Sequence, residues 1–142
     1  MKDFNKIFLD TAPLIYFLDN NPHFGEKSRR IIDSFLNENK ILVSSVLTCE
    51  EYLIMPYRNQ EHQLIDEFWR FIKDSNMILY PINRQEAVKA AKIRAEYKFF
   101  KPMDSLQLAT AVLHGCNLFL TNDKQLKQFP EINCVTVDEW QF

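Results

Sequence analysis

Five short apolar runs, spaced by helix-length stretches, constrain this chain more than any other feature. They are Lys6-Ile7-Phe8-Leu9, Ile41-Leu42-Val43, Met77-Ile78-Leu79-Tyr80, Asn117-Leu118-Phe119-Leu120 and Cys134-Val135-Thr136-Val137. A strand with one wet face alternates polar and apolar residues, whereas a continuous apolar run suits a strand covered on both faces. The segments between the runs follow helical spacing. Ile31, Ile32, Phe35 and Leu36 line one side of a helix predicted over 24–37; Leu64, Ile65, Phe68, Trp69 and Ile72 do so over 62–73. Further helices are expected over 11–18, capped by Thr11 with Pro13 in the first turn; over 46–55, stopped by Pro56; over 86–99; and over 104–114, closed by Gly115. Strands alternating with helices make βαβ units and a parallel sheet. The expectation is therefore an α/β fold: one domain over residues 1–142, with a parallel central sheet of about five strands and helices on both faces. A chain of 142 residues is long enough to bury such a core.

Composition removes several function classes. With only 2 glycines, the chain has no glycine loop to cradle a nucleotide phosphate. Its net charge of −2 sets aside binding of nucleic acid through a basic field over the whole protein, so any phosphate-holding strip must be local. Cys49, Cys116 and Cys134 are widely spaced and form no C-x-x-C pair, which points to reduced thiols in a cytoplasmic protein. The first apolar stretch is broken by Asp10 and Asp19, so neither a signal segment nor a membrane span is expected.

The acids fall in a pattern. Asp10 directly follows the first apolar run, and Glu51 lies one turn into the helix after the second. Asp104 opens a helix, and Asp123 ends Leu120-Thr121-Asn122-Asp123 after the fourth run. In open parallel sheets, sites form beyond the carboxyl ends of the strands. Carboxylates gathered there repel one another and are costly to desolvate unless a cation compensates. Mg²⁺ suits such donors, and its chemistry is water activation and leaving-oxygen stabilisation at a phosphodiester. Each acid also has a plain structural reading. Asp10 and Asn122-Asp123 fit turns, and Thr48-x-x-Glu51 and Asp104-x-x-Gln107 fit capping boxes. Spacing alone leaves both readings open.

At these residues the sequence resembles the PIN-domain nucleases, especially the VapC-like toxins of bacterial and archaeal toxin–antitoxin pairs. Ile7-Phe8-Leu9-Asp10-Thr11-Ala12-Pro13-Leu14-Ile15-Tyr16 is similar to their first acidic motif. Ser45-Val46-Leu47-Thr48-Cys49-Glu50-Glu51-Tyr52-Leu53 is similar to the second, in which the Glu three residues after a Thr selects Glu51 over Glu50. Lys101-Pro102-Met103-Asp104-Ser105-Leu106-Gln107-Leu108-Ala109-Thr110-Ala111, leading through a His/Gly turn to Leu118-Phe119-Leu120-Thr121-Asn122-Asp123, is the most specific match. Met103 departs from the small residue that commonly precedes the third Asp. The resemblance spans essentially the whole chain. It implies a Rossmann-like sheet and metal-dependent endonucleolytic cleavage of RNA, with Mg²⁺ or Mn²⁺ held by Asp10, Glu51, Asp104 and Asp123. It further implies contact roles for Thr11, Thr121 and Asn122, a cognate antitoxin, and a homodimer.

Arg94, Lys98 and Lys101 are spaced for one helix face running toward Asp104, and are candidates to hold RNA phosphates. A solvated helix face is the plainer account of the same charges. Tyr52, Trp69, Phe99 and Phe100 are either core, a partner surface, or stacking platforms for unpaired bases. His23, His62 and His114 have no ligand spacing. Two other functions compete. An aspartyl-nucleophile phosphotransferase at Asp10 would often carry a second acid at the position of Ala12. A non-catalytic PIN-fold RNA-binding or scaffolding protein would usually have lost acids that are all present here.

Overall fold

The computed structural model describes residues 4–142; residues 1–3 of the expected domain lie outside that span. The elements are β1 (Lys6–Leu9), α1 (Thr11–Asp19), α2 (Gly25–Asn37), β2 (Ile41–Ser45), α3 (Val46–Arg58), α4 (His62–Asp74), β3 (Ile78–Tyr80), α5 (Arg84–Glu96), α6 (Pro102–Leu113), β4 (Leu118–Thr121), a 3-10 turn (Lys124–Gln128) and β5 (Cys134–Thr136). The five strands form one sheet, ordered β3-β2-β1-β4-β5. Every pairing is parallel.

The apolar runs are continuous because each strand buries both faces. Phe8, Val43 and Phe119 pack toward α5 and α6 through Ala90, Ile93, Leu108 and Ala109. Ile7, Leu9, Leu42, Leu118 and Leu120 pack toward α2 through Ile31, Ile32 and Phe35. A third cluster joins α1, α3 and α4 through Leu14, Tyr52, Leu53 and Phe68. Strand order reverses at β1: the chain builds outward through β2 and β3, then returns to place β4 on the other side of β1. The crevice beyond the carboxyl ends of β1 and β4 is thus the topological switch point.

Several helix ends differ from the sequence expectation. Asp10, not Thr11, is the N-cap of α1, accepting from the Thr11 N–H at 2.9 Å. Helix α3 runs through Pro56 to Arg58 rather than stopping before it. Its face of Tyr52, Leu53 and Pro56 is buried, which offsets the missing proline N–H, and the Asn59 and Glu61 N–H groups close its end on Met55 and Pro56 carbonyls. Neither capping box expected at Thr48 or Asp104 forms, since the N-caps there are Ser45 and Lys101. A box forms instead between Asn83 and Glu86 and starts α5 early. The same helix ends at Glu96, because buried Phe100 stacks on Tyr97 (4.9 Å) and turns the chain before Pro102. At the end of α6, Gly115 has φ +73°, and the Gly115 and Cys116 N–H groups close on Val112 and Ala111. That is the Schellman geometry a C-terminal glycine favours. Cys116 and Cys134 are buried thiols and Cys49 is partly exposed; all three are free. No helix among the described residues is long and apolar enough to cross a membrane.

Candidate active site

Asp10 lies at the end of β1, where its backbone N–H donates to the Leu120 carbonyl of β4 at 2.9 Å. Its carboxylate is gripped on both oxygens: Thr11 N–H reaches Oδ1 (2.9 Å) and Thr121 Oγ1 reaches Oδ2 (2.8 Å). Thr121 also accepts from the Asp123 N–H at 3.1 Å, linking the first and fourth candidate acids through one hydroxyl. Asp123 caps the 3-10 turn by accepting from Gln125 N–H at 3.0 Å, so its turn role and its place at the switch point coexist. Glu51, on exposed α3 surface, accepts from Thr11 Oγ1 at 2.8 Å. Asp104, in the first turn of α6, is partly exposed.

The electrostatics tie these acids together. Burial raises Asp10 from its ordinary 3.8 to about 7; the Thr121 and Thr11 hydrogen bonds oppose the rise, and the charges of Asp104 and Glu51 add to it. Asp104 is also raised, first by burial and then by Asp123, with Lys101 pulling it back and Glu51 adding to the rise. Glu51, Asp104 and Asp10 are therefore near enough to feel one another, as are Asp104 and Asp123. The PIN-domain family model matches residues 7–132, most of the chain.

The chain belongs to the PIN-domain family. Solved structures similar to this PIN domain share its fold at low identity. VapBC2 from Rickettsia felis, bound to a promoter DNA fragment, aligns with a TM-score of 0.77 at 15% identity, covering 96% of this chain and 99% of that one. FitAB bound to the IR36 DNA fragment aligns at 0.73 and 17%, covering 96% and 98%. A toxin–antitoxin complex from Klebsiella pneumoniae aligns at 0.68 and 21%, covering 92% and 97%. No curated protein sequence matches significantly.

The donor set of this PIN domain tests what ion it suits. Its candidate ligands are all carboxylate oxygens. Among the described residues, no three Asp, Glu, His or Cys side chains close around a point as a metal cage does. Mg²⁺ is commonly held by one or two carboxylates, several waters and a substrate phosphate. An open carboxylate site containing a half-buried acid whose ionisation is disfavoured by its neighbours fits that ion. It does not fit a tetrahedral N/S site.

The surrounding residues divide clearly. Thr11 and Thr121 are buried and bonded directly to candidate acids, whereas Asn122 donates to Tyr16 Oη at 2.8 Å. The basic strip is not one helix face: Arg94 is on α5, but Lys98 and Lys101 lie in and beyond the turn that follows it. Arg94 braces that turn, its Nε donating to the Phe100 carbonyl at 3.3 Å. Lys101 is electrostatically coupled to a candidate acid, Asp104. Of the four aromatics, Tyr52 and Phe100 are core, Trp69 is half exposed, and Phe99 is 87% exposed beside Lys98. His114 is structural, stacked on Tyr80 and bonded to Glu86 at 2.9 Å. Sequence reasoning passed over Ser44, Ser45 and Gln107 as site residues. All three are buried polar side chains beneath the acids, and polar residues at otherwise apolar strand and helix positions were the available signal.

Proposed function

We propose that this PIN domain is a divalent-metal-dependent endoribonuclease and the toxin of a toxin–antitoxin pair. One observation carries the nuclease reading: Asp10 is clamped at the switch point by Thr11 and Thr121 while its burial, and after it the charges of Asp104 and Glu51, disfavour its ionisation. Without a cation that arrangement is a net electrostatic cost, and active sites are where such costs are retained. Asp10, Glu51, Asp104 and Asp123 would hold Mg²⁺ or Mn²⁺. When bound, the ion supplies a Lewis acid at the phosphodiester and acidifies a coordinated water. Thr121 and Thr11 keep the Asp10 and Glu51 carboxylates in one orientation. Lys101, beside Asp104, and the exposed Lys98 and Arg94 offer positive charge to RNA phosphates. Phe99, presented by a turn that Tyr97 and Phe100 anchor, offers a face on which an unpaired base stacks.

The test is incubation of purified protein with total RNA in Mg²⁺ or Mn²⁺. Discrete fragments are expected from the wild type and none with EDTA or from Asp104→Asn. Cutting by Asp104→Asn at the wild-type rate would expose a contaminant and remove the mechanism. Intact metal binding without cleavage of any RNA would favour the scaffolding reading. The Lys98→Ala, Lys101→Ala pair is expected to raise KM and reduce the salt slope by about 1–2, with little change in kcat. An unchanged salt slope would show that these lysines touch no phosphate.

The toxin reading rests on the similarity to the toxin–antitoxin complex from Klebsiella pneumoniae, and on a surface feature. Helix α3 carries exposed Ile54, Met55 and Tyr57. A shallow groove of about 470 Å³, lined by Cys49, Glu50, Leu53, Ile54, Tyr57 and Arg58, runs along it. An antitoxin segment with apolar anchors fits that groove. Ile54→Asp is expected to break co-purification with a co-expressed cognate antitoxin; a retained complex would place the interface elsewhere.

A further inference from the structure

Beneath the acids lies a buried polar chain with one possible direction. Leu47 N–H donates to Ser45 Oγ (3.1 Å), so the Ser45 proton is free to go to Gln107 Oε1 (2.5 Å). Gln107 Nε2 then donates to Thr48 Oγ1 (2.9 Å). Thr48 lies 2.7 Å from Ser44 Oγ, and Ser44 donates to the Leu9 carbonyl (2.8 Å). A hydroxyl has one proton. Ser44 commits its own to Leu9, so Thr48 donates to Ser44. The chain starts at a backbone donor and ends at a backbone acceptor, which fixes the sense of every link between them.

This sense bears on Glu51. Thr11 Oγ1 lies 3.2 Å from Thr48 Oγ1 and 2.8 Å from Glu51 Oε1. Gln107 already occupies a lone pair of Thr48, which weakens Thr48 as an acceptor. The Thr11 proton therefore goes to the nearer, charged Glu51 carboxylate. Gln107 is 1% exposed and sits one turn beyond Asp104 on the same helix. It joins α6, which carries Asp104, to α3, which carries Glu51, and through Ser44 to the β1 residue before Asp10.

We propose that Gln107 is a positioning residue for the metal site. It sets the Thr11–Glu51 contact, and through it the place of Glu51 relative to the elements that bear Asp10 and Asp104. This rests on the metal reading proposed above. A buried amide with both ends bonded also contributes stability, so the test must separate the two roles.

Mn²⁺ affinity, measured by calorimetry on the purified protein, does so when combined with a double-mutant cycle. Gln107→Met keeps length and removes both hydrogen bonds. It is expected to weaken Mn²⁺ binding by about tenfold, the lower end for a residue that orients a ligand. In a Glu51→Gln background the same change is expected to have little effect on Mn²⁺ affinity. Thr48→Val cuts the chain at the next link with almost no change of volume, and carries the test if Gln107→Met does not fold. Unchanged Mn²⁺ affinity in the folded variant overturns the proposal, as does an equal loss in both backgrounds. Wild-type protein that binds no Mn²⁺ overturns the metal reading itself and this proposal with it.

Discussion

Asp10→Asn abolishes RNA cleavage, by about 100-fold or more, and leaves the metal-free protein more stable at pH 7.5 than the wild type. Both effects have one origin. The ionised Asp10 carboxylate is desolvated and faces Asp104 and Glu51, and its proton affinity is raised from the usual 3.8 to about 7. Asparagine keeps one acceptor, Oδ1, for the Thr11 N–H, while its Nδ2 replaces Oδ2 and donates to Thr121 Oγ1, so the clamp is largely kept without a charge for a cation to neutralise. Between pH 3.8 and about 7 the folded chain keeps a proton that the unfolded chain has released. The unfolded state thus binds fewer protons there, and wild-type stability falls as pH rises through that window. Thermal unfolding in EDTA checks this: the midpoint difference between Asp10→Asn and wild type should be small near pH 4 and grow toward pH 7.5. Mn²⁺ should then raise the wild-type midpoint and leave the variant's nearly unchanged. Mn²⁺ and protons compete for the same oxygens, so wild-type Mn²⁺ affinity should weaken progressively below about pH 7. An Asp10→Asn protein less stable than wild type at pH 7.5 would mean that the clamp outweighs the repulsion. Cleavage at the wild-type rate would remove Asp10 from the chemistry.

Phe119→Ala destabilises the chain by about 3–5 kcal/mol, a large part of the 5–15 kcal/mol typical of a domain. Phe119 is fully buried on β4, pairs in register with Phe8 of β1, and stacks on it with ring centroids 5.0 Å apart and planes 3° apart. Truncation removes the aromatic stack and leaves a cavity between the sheet and α6, which a central strand cannot relax to fill. The same strand pair carries Asp10 and Thr121 two residues further on, so the loss falls on the joint that shapes the site. Urea unfolding monitored by circular dichroism reads the stability. A loss under about 1 kcal/mol would show that this part of the core is loosely packed.

Much of the architecture was legible in local pattern. Continuous apolar runs marked strands buried on both faces, and helical stripes such as Ile31, Ile32 and Phe35 marked the layers that cover them. The PIN motifs marked where the acids fall. Local patterns also misled where tertiary packing outweighed them. Pro56 does not stop α3, because the helix face around it is buried and its end is capped. Lys98 does not continue the face of Arg94, because Phe100 turns inward. The Thr48 capping box does not form, because Ser45 caps α3 and leaves Thr48 inside the helix, where its hydroxyl bonds Ser44 and Gln107.

Periodicity and residue type therefore set which segments become strands and helices, and that each strand is buried twice, since both are decided by neighbours within a turn or a pleat. The β1–β4 pairing that reverses the strand order, the crevice beside it and the grip of Thr121 on Asp10 arise from contacts between residues more than 100 positions apart. Such contacts leave no periodic trace in the chain. They exist only once loop closure has been offset by burying Phe8 against Phe119 and the apolar edges of β1 and β4 against the helices. The acids were visible one at a time; their mutual charge, and the hydroxyls and amide that orient them, belong to the folded molecule.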